Sequence, residues 1–150
     1  MGKGTFDMAT QKQIETLLEA LHKAPPSEHF QKIDTSSMGI RAILKYLSEI
    51  SDHATAGEIS KALGVSTARV AVLLKKMVVK GLLEKQSDPS DGRLVVVRLS
   101  RQGKATAEQL RNELYAQLGT LIDKIGLERM LEFAAISNEI HAAMKATETK

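Results

Sequence analysis

No cysteine occurs among the 150 residues, and that absence removes three classes of chemistry. Disulfides, thiolate zinc sites and cysteine-based peroxide sensing by this chain are excluded. Long apolar runs are missing as well. The opening residues, Met1-Gly2-Lys3-Gly4-Thr5-Phe6-Asp7, hold no run of the length a signal peptide needs. No segment approaches the roughly 20 apolar residues of a membrane span. Met1-Gly2 opens like a myristoylation signal, but that signal wants a hydroxyl at the sixth position, where Phe6 stands. The expectation is a soluble, cytoplasmic chain with no membrane partner. Catalytic signatures are lacking too. There is no phosphate-cradling loop, no nucleophile–base arrangement, and no pair of acids outside Asp88 and Asp91. Those two could hold a cation, but Pro89 and Gly92 beside them suit a turn. No enzyme activity and no cofactor are expected. His22, His29, His53 and His141 are scattered, without a His-x-x-x-His pair, so no metal site is expected either.

What is present concentrates between Thr55 and Arg101. Ile59, Leu63, Gly64, Val65, Val70 and Leu73 carry the spacing of two helices crossing at a tight turn. Ile59 and Leu63 share one face of the first helix, and Val70 and Leu73 share the facing side of the second. Val65 plugs the corner, and Gly64 allows positive φ at the bend. Thr55 and Glu58 make a T-x-x-E capping box, Ser66 caps the second helix, and Gly81 ends it. Leu83–Ser87 and Leu94–Leu99 read as an antiparallel pair around Asp88-Pro89-Ser90-Asp91-Gly92, with Val95, Val97 and Leu99 alternating with Val96 and Arg98. The outline is a winged helix-turn-helix.

Helices surround this core. Residues 6–23 repeat Ile14, Leu17, Leu18 and Leu21 at helical spacing and stop at Pro25-Pro26. Met38–Ile50 turns Ile40, Ile43, Leu44 and Leu47 inward. Ser100 caps a helix from Arg101 to about Lys124 with a stripe of Leu110, Leu114, Leu118, Leu121 and Ile125. Gly126 interrupts it, and Leu127 to about Lys145 carries Met130, Leu131, Ala134 and Ile140. The fold class is mainly α with a small β-hairpin wing. Residues 38–100 form the winged core, and residues 6–37 and 101–147 form the remainder of one 150-residue domain. The terminal helices are too apolar for their length to stand alone in water. Packing between two copies of the chain is their expected use.

Charge is unevenly placed. The net charge of +3 hides a segment, residues 52–104, with ten Lys or Arg against five Asp or Glu, which leaves −2 for the rest. A basic excess over a winged helix-turn-helix suits a surface that meets phosphates. On the second helix, Val70, Leu73, Leu74 and Met77 project inward. Ala68, Val72, Lys75, Lys76 and Val79 project outward, with Thr67, Arg69 and Ala71 on the flanks. The N-terminal part of such a helix reaches base edges in the major groove. Ser66, Thr67 and Arg69 are candidate donors there, and Arg69 can pair bidentately with guanine. Ala68 and Val72 sit one turn apart and can touch thymine methyls, Ala71 is a DNA-facing candidate on the flank, and Lys75 and Lys76 suit phosphate. Arg93, near the hairpin tip, suits a narrow minor groove, with Asp91 holding the loop or the arginine in place.

Leu82-Leu83-Glu84-Lys85, then Asp88-Pro89-Ser90-Asp91-Gly92-Arg93, then Val97-Arg98-Leu99-Ser100-Arg101-Gln102-Gly103 resemble the wing of the MarR family of bacterial transcriptional regulators. The likeness includes its D-x-R motif at Asp91 and Arg93 and its closing Leu-Ser/Thr-x-x-Gly. The resemblance implies a homodimer built from the terminal helices, with recognition helices in the major groove and Arg93 of each wing in the minor groove of double-stranded DNA. It implies a repressor that lets go of DNA when a small aromatic or anionic ligand binds. His29, Phe30, Ile33, Met38 and Arg41 are the candidate lining of that ligand site, with Arg41 pairing an anion. Many members carry arginine where this chain has Val72, so base readout differs. The competing expectation is a winged-helix protein-interaction module whose basic face is incidental.

Overall fold

The structure is a computed structural model that describes residues 9–22 and 35–148. Its elements in chain order are α1 (Gln11–His22), α2 (Thr35–Glu49), α3 (Ala56–Leu63), α4 (Thr67–Val79), β1 (Leu83–Ser87), β2 (Val95–Leu99), α5 (Arg101–Ile125) and α6 (Leu127–Glu148). The chain divides into two compact units. One runs from Asp34 to Arg111; the other contains α1 and the chain from Asn112 onward.

The unit from Asp34 to Arg111 is the winged core. Ile43, Leu44 and Leu47 of α2, Ile59 of α3, and Val70, Leu73, Leu74 and Met77 of α4 are buried together with Leu82, Leu83, Val97 and Leu99. Leu63 and Val65 are half-buried against this cluster, which is the wedge expected at the helix–helix corner. The corner itself is made by Gly64 at φ 65°, a left-handed conformation that a Cβ would penalise. Thr55 accepts the Glu58 N–H while Glu58 reaches back to the Thr55 N–H at 2.7 Å, so the capping box is present. α4 ends in a Schellman arrangement: Gly81 N–H donates to the Val78 carbonyl and Leu82 N–H to that of Met77, both at 2.9 Å.

β1 and β2 pair antiparallel with Leu83 opposite Leu99 and Lys85 opposite Val97. Ala54 exchanges both backbone hydrogen bonds with Val97, at 3.0 and 2.8 Å, and so adds a one-residue third rung to the sheet. The strand departs from the expected alternation. Val96 and Val97 are both buried while Val95 is 60% exposed, and the strand begins at Val95 rather than Leu94. Strict period-2 burial holds only where one face of the hairpin is covered, and here both faces are covered around Val96 and Val97.

In the other unit, Ile14 and Leu17 of α1 are buried with Leu118 and Ile122 of α5, and Leu18, Leu21, Tyr115, Met130 and Leu131 pack around them. Helix bounds differ from the expected ones in three places. α1 begins at Gln11, because Thr10 and Gln13 cap it reciprocally: Thr10 N–H donates to Gln13 Oε1 at 2.7 Å, and Gln13 N–H to Thr10 Oγ1 at 3.3 Å. α2 begins at Thr35 rather than Met38, and α6 continues to Glu148. The expected α5 stripe is also divided. Leu118 is buried, whereas Leu114, Leu121 and Ile125 are 39–41% exposed, and Ile122 takes the inward position instead. Ile140 of α6 is exposed too. Among the described residues, no helix is long and apolar enough to cross a membrane.

Candidate nucleic-acid interface

α4 buries one face and leaves the other in solvent because its apolar residues fall on a single stripe. Ser66, Thr67, Ala68, Arg69, Ala71, Val72, Lys75 and Lys76 are all exposed, and Val72 is 56% exposed. These are the residues expected from the sequence to meet DNA, and the fold brings them to one side of one helix. Ser66 caps that helix by accepting the Arg69 N–H at 3.2 Å, which anchors the turn that presents Arg69.

A second tie holds the helix start, and the sequence reading missed it. Ser60 Oγ of α3 donates to the Val65 carbonyl at 2.6 Å, and Thr67 Oγ1 lies 3.3 Å from Ser60 Oγ. Thr67 is therefore joined to α3 as well as exposed. The visible signal was a hydroxyl pair spanning the glycine turn, Ser60 and Thr67, which only the crossing angle brings together.

The loop between the strands is built on carboxylates. Asp88 Oδ1 accepts the Ser90 and Asp91 N–H groups at 2.6 and 3.0 Å. Those two hydrogen bonds hold its carboxyl below the ordinary value of 3.8. Asp88 N–H donates to the Leu94 carbonyl at 2.9 Å and Leu94 N–H to that of Asp91 at 3.0 Å, closing the loop. Asp91 Oδ1 accepts the Arg93 backbone N–H at 3.1 Å, so of its two expected roles it fixes the loop. The Arg93 side chain stays exposed. Asp88 thus fixes the turn through its carboxylate, beyond the turn propensity of Pro89 and Gly92.

The winged unit is locked onto the start of α5. Ser100 Oγ donates to the Gly81 carbonyl at 2.5 Å and accepts the Gly103 N–H at 3.0 Å, while Ser100 N–H donates to the Leu82 carbonyl at 3.0 Å. The Leu-Ser-x-x-Gly run is therefore a clamp between the end of α4 and the first turn of α5. Beside the wing, His53 Nδ1 lies 2.7 Å from Asp52 Oδ1, and Arg98 Nη2 lies 4.0 Å from Asp52 Oδ2. The hydrogen bond from His53, more than the attraction of Arg98, lowers the Asp52 carboxyl from its ordinary value.

Residues 42–94 match the family model described as the MarR family. The winged segment is thus similar to the MarR family over about a third of the chain. The solved structures agree on the whole fold. A MarR family transcription regulator, SP03579, superimposes with a TM-score of 0.68 at 18% identity, over 93% of this chain and 97% of that one. A double mutant of ZitR from Lactococcus lactis, in apo form, gives 0.56 at 24% identity over 93% and 98%. The transcriptional regulator Tm0710 from Thermotoga maritima gives 0.51 at 19% identity over 93% and 89%. No curated protein matches the chain. Among the described residues the chain has the fold of these structures, six helices with a two-stranded wing.

Of the expected ligand-site residues, His29, Phe30 and Ile33 lie outside the described residues. Met38 and Arg41 sit on α2, where both are exposed. Among the described residues, no group of three His, Asp or Glu side chains is placed to hold a metal ion.

Proposed function

We propose that this chain is a homodimeric, sequence-specific DNA-binding transcriptional regulator. Recognition helix α4 enters the major groove and the Arg93 wing enters the adjoining minor groove. The observation that carries this reading is one unit that combines an exposed Ser66–Lys76 helix face with an arginine-tipped hairpin, within a segment of net charge +5. Arg69 reads bases from the helix N-terminus, Lys75 and Lys76 neutralise phosphates, and Ala68, Ala71 and Val72 make close apolar contact. Exposed apolar side chains support the dimer. Leu114, Leu121 and Ile125 on α5, and Phe133, Ile136, Ile140 and Met144 on α6, are between 39% and 64% exposed. That many large apolar side chains left exposed on two helices suits an association surface. Two copies related by a two-fold axis would offer two α4 helices to successive major grooves. The regulator acts as a repressor that a small aromatic or anionic ligand releases, in keeping with the family resemblance.

Selection from a random duplex pool tests the reading. The expected result is an enriched inverted repeat with half-sites about 10 bp apart. Enrichment of nothing, or of single unpaired sites, would refute it. The other reading, a protein-interaction module, draws on the exposure of Val72 and Val79 (82%) along α4. Phosphate binding weakens steeply with salt, and apolar docking does not.

A further inference from the structure

The unit from Asp34 to Arg111 contains an open cleft of about 360 Å³ that none of the residues assigned above to DNA contact lines. Its size falls within the range of small-molecule sites. Leu47, Leu99 and Ala107 line it, all buried to at least nine-tenths, and give it an apolar floor. Its two walls carry opposite charge. Glu49 and Asp52, from the end of α2 and the loop after it, form an anionic wall. On α5, Lys104 and Arg111 flank Glu108 one turn apart on a single face, for a net positive wall. The helix ends add to the same polarity. α2 finishes at Glu49, where a helix is partially negative, and Lys104 lies in the first turn of α5, where a helix is partially positive.

We propose that this cleft is a binding site for a small zwitterion with an apolar body, of the chemistry of an apolar α-amino acid. Its ammonium faces Glu49 and Asp52, its carboxylate faces Lys104 and Arg111, and its side chain covers Leu47, Leu99 and Ala107. A molecule carrying one charge leaves one wall unanswered and pays desolvation there without compensation. The site has a consequence for the wing. Asp52 also stands 4.0 Å from Arg98 on β2, the strand that returns from the Arg93 loop. An ammonium that takes the Asp52 carboxylate competes with His53, 2.7 Å away, and with Arg98. That consequence rests on the DNA-binding reading; the site itself does not.

Isothermal calorimetry on the 150-residue chain without DNA tests the site, using L-phenylalanine and L-leucine, with phenethylamine and 3-phenylpropionate as single-charge controls. The expected result is saturable binding of an amino acid at least tenfold tighter than either control. Asp52→Asn and Lys104→Gln, both exposed positions, should each weaken it at least tenfold with unchanged melting temperature. Equal binding of 3-phenylpropionate would make this an anion site, and equal binding of phenethylamine a cation site. Either result overturns the proposal, as does the absence of any binding tighter than about 1 mM. DNA affinity with and without L-phenylalanine is measured separately. Calorimetric binding with no duplex bound under any condition would reject the DNA reading and leave the site standing.

Discussion

Replacing Gly103 with alanine should destabilise the protein although it sits in a helix. A Cβ built there lies 2.0 Å from the Leu82 carbonyl oxygen, 3.0 Å from the Leu82 carbonyl carbon and 3.3 Å from Leu99 Cδ2. Backbone cannot swing aside as the end of a side chain can, so α5 and the α4–β1 junction must separate by about 1 Å to reach an ordinary contact. The Leu82 carbonyl accepts the Ser100 N–H, and Ser100 Oγ bridges Gly81 and Gly103. Such a shift stretches these bonds, each worth about 1 kcal/mol net. Overpacking a filled site adds about 1–3 kcal/mol. Against this, alanine gains about 1 kcal/mol of helix propensity over glycine. The balance is a loss of about 2–3 kcal/mol, or about 4–12 °C in Tm for a chain of this length. Urea unfolding followed by far-UV circular dichroism, at one fixed protein concentration because association contributes to stability, measures it. Gly119→Ala is the control in the same helix. Its Cβ meets only Ile14 Cδ1 at 3.7 Å, so propensity acts alone and stability should rise by about 0.5–1 kcal/mol. If Gly103→Ala proves as stable as the parent, the clamp described here is wrong.

Thr55→Ala removes the acceptor for Glu58 N–H and should cost about 1 kcal/mol, read as a lower urea midpoint with unchanged slope. On DNA, Arg69→Gln should flatten sequence preference in a competition binding assay, while Lys75→Ala should weaken all duplexes alike and reduce the salt slope by about 1. Acid should destabilise the wing and the α3 cap together. Glu58, held down by the Thr55 N–H and hydroxyl, and Asp88, held down by the Ser90 and Asp91 N–H groups, both titrate below their ordinary values of 4.5 and 3.8. A depressed carboxyl stabilises the fold above its unfolded pKa and loses that contribution as pH falls through the folded one. Stability from these groups should therefore be flat above about pH 5 and decline below it, and Asp88→Asn should make the decline shallower in urea titrations across pH 3–6.

Local signals carried much of this structure. Thr55 with Glu58, Gly64, Ser66 and Gly81 act within four residues of themselves, so caps and turns were legible without any tertiary context, as was the buried stripe of α4. The wing was legible for the same reason: two short apolar runs around Asp88-Pro89-Ser90-Asp91-Gly92 leave the chain little choice but a hairpin. The α1 cap by Thr10 and Gln13 was equally local, but the apolar repeat drew the boundary five residues too early.

Where apolar residues occupy more than one face of a helix, periodicity cannot say which face is covered. On α5, Leu118 and Ile122 are buried while Leu114, Leu121 and Ile125 are not, because Ile14 and Leu17 of α1 are buried against Leu118 and Ile122. Val96 and Val97 are buried in succession for a kindred reason. The outcome depends on what lies on either side of the hairpin, which the run of valines does not encode. Long-range polar ties were hidden as well. Ser60 with Thr67 and Ser100 with Gly81 need a crossing angle before their atoms can meet.

Helix boundaries, the glycine bend, the exposed face of α4 and the hairpin were all written in short-range chemistry, where a few neighbouring residues decide the backbone. The clamp at Ser100 and Gly103, the split burial of α5 and the two-signed cleft between the end of α2 and α5 exist only once distant segments are packed. Their energies come from contacts between residues as far apart in the chain as Ile14 and Ile122, and no local pattern specifies those.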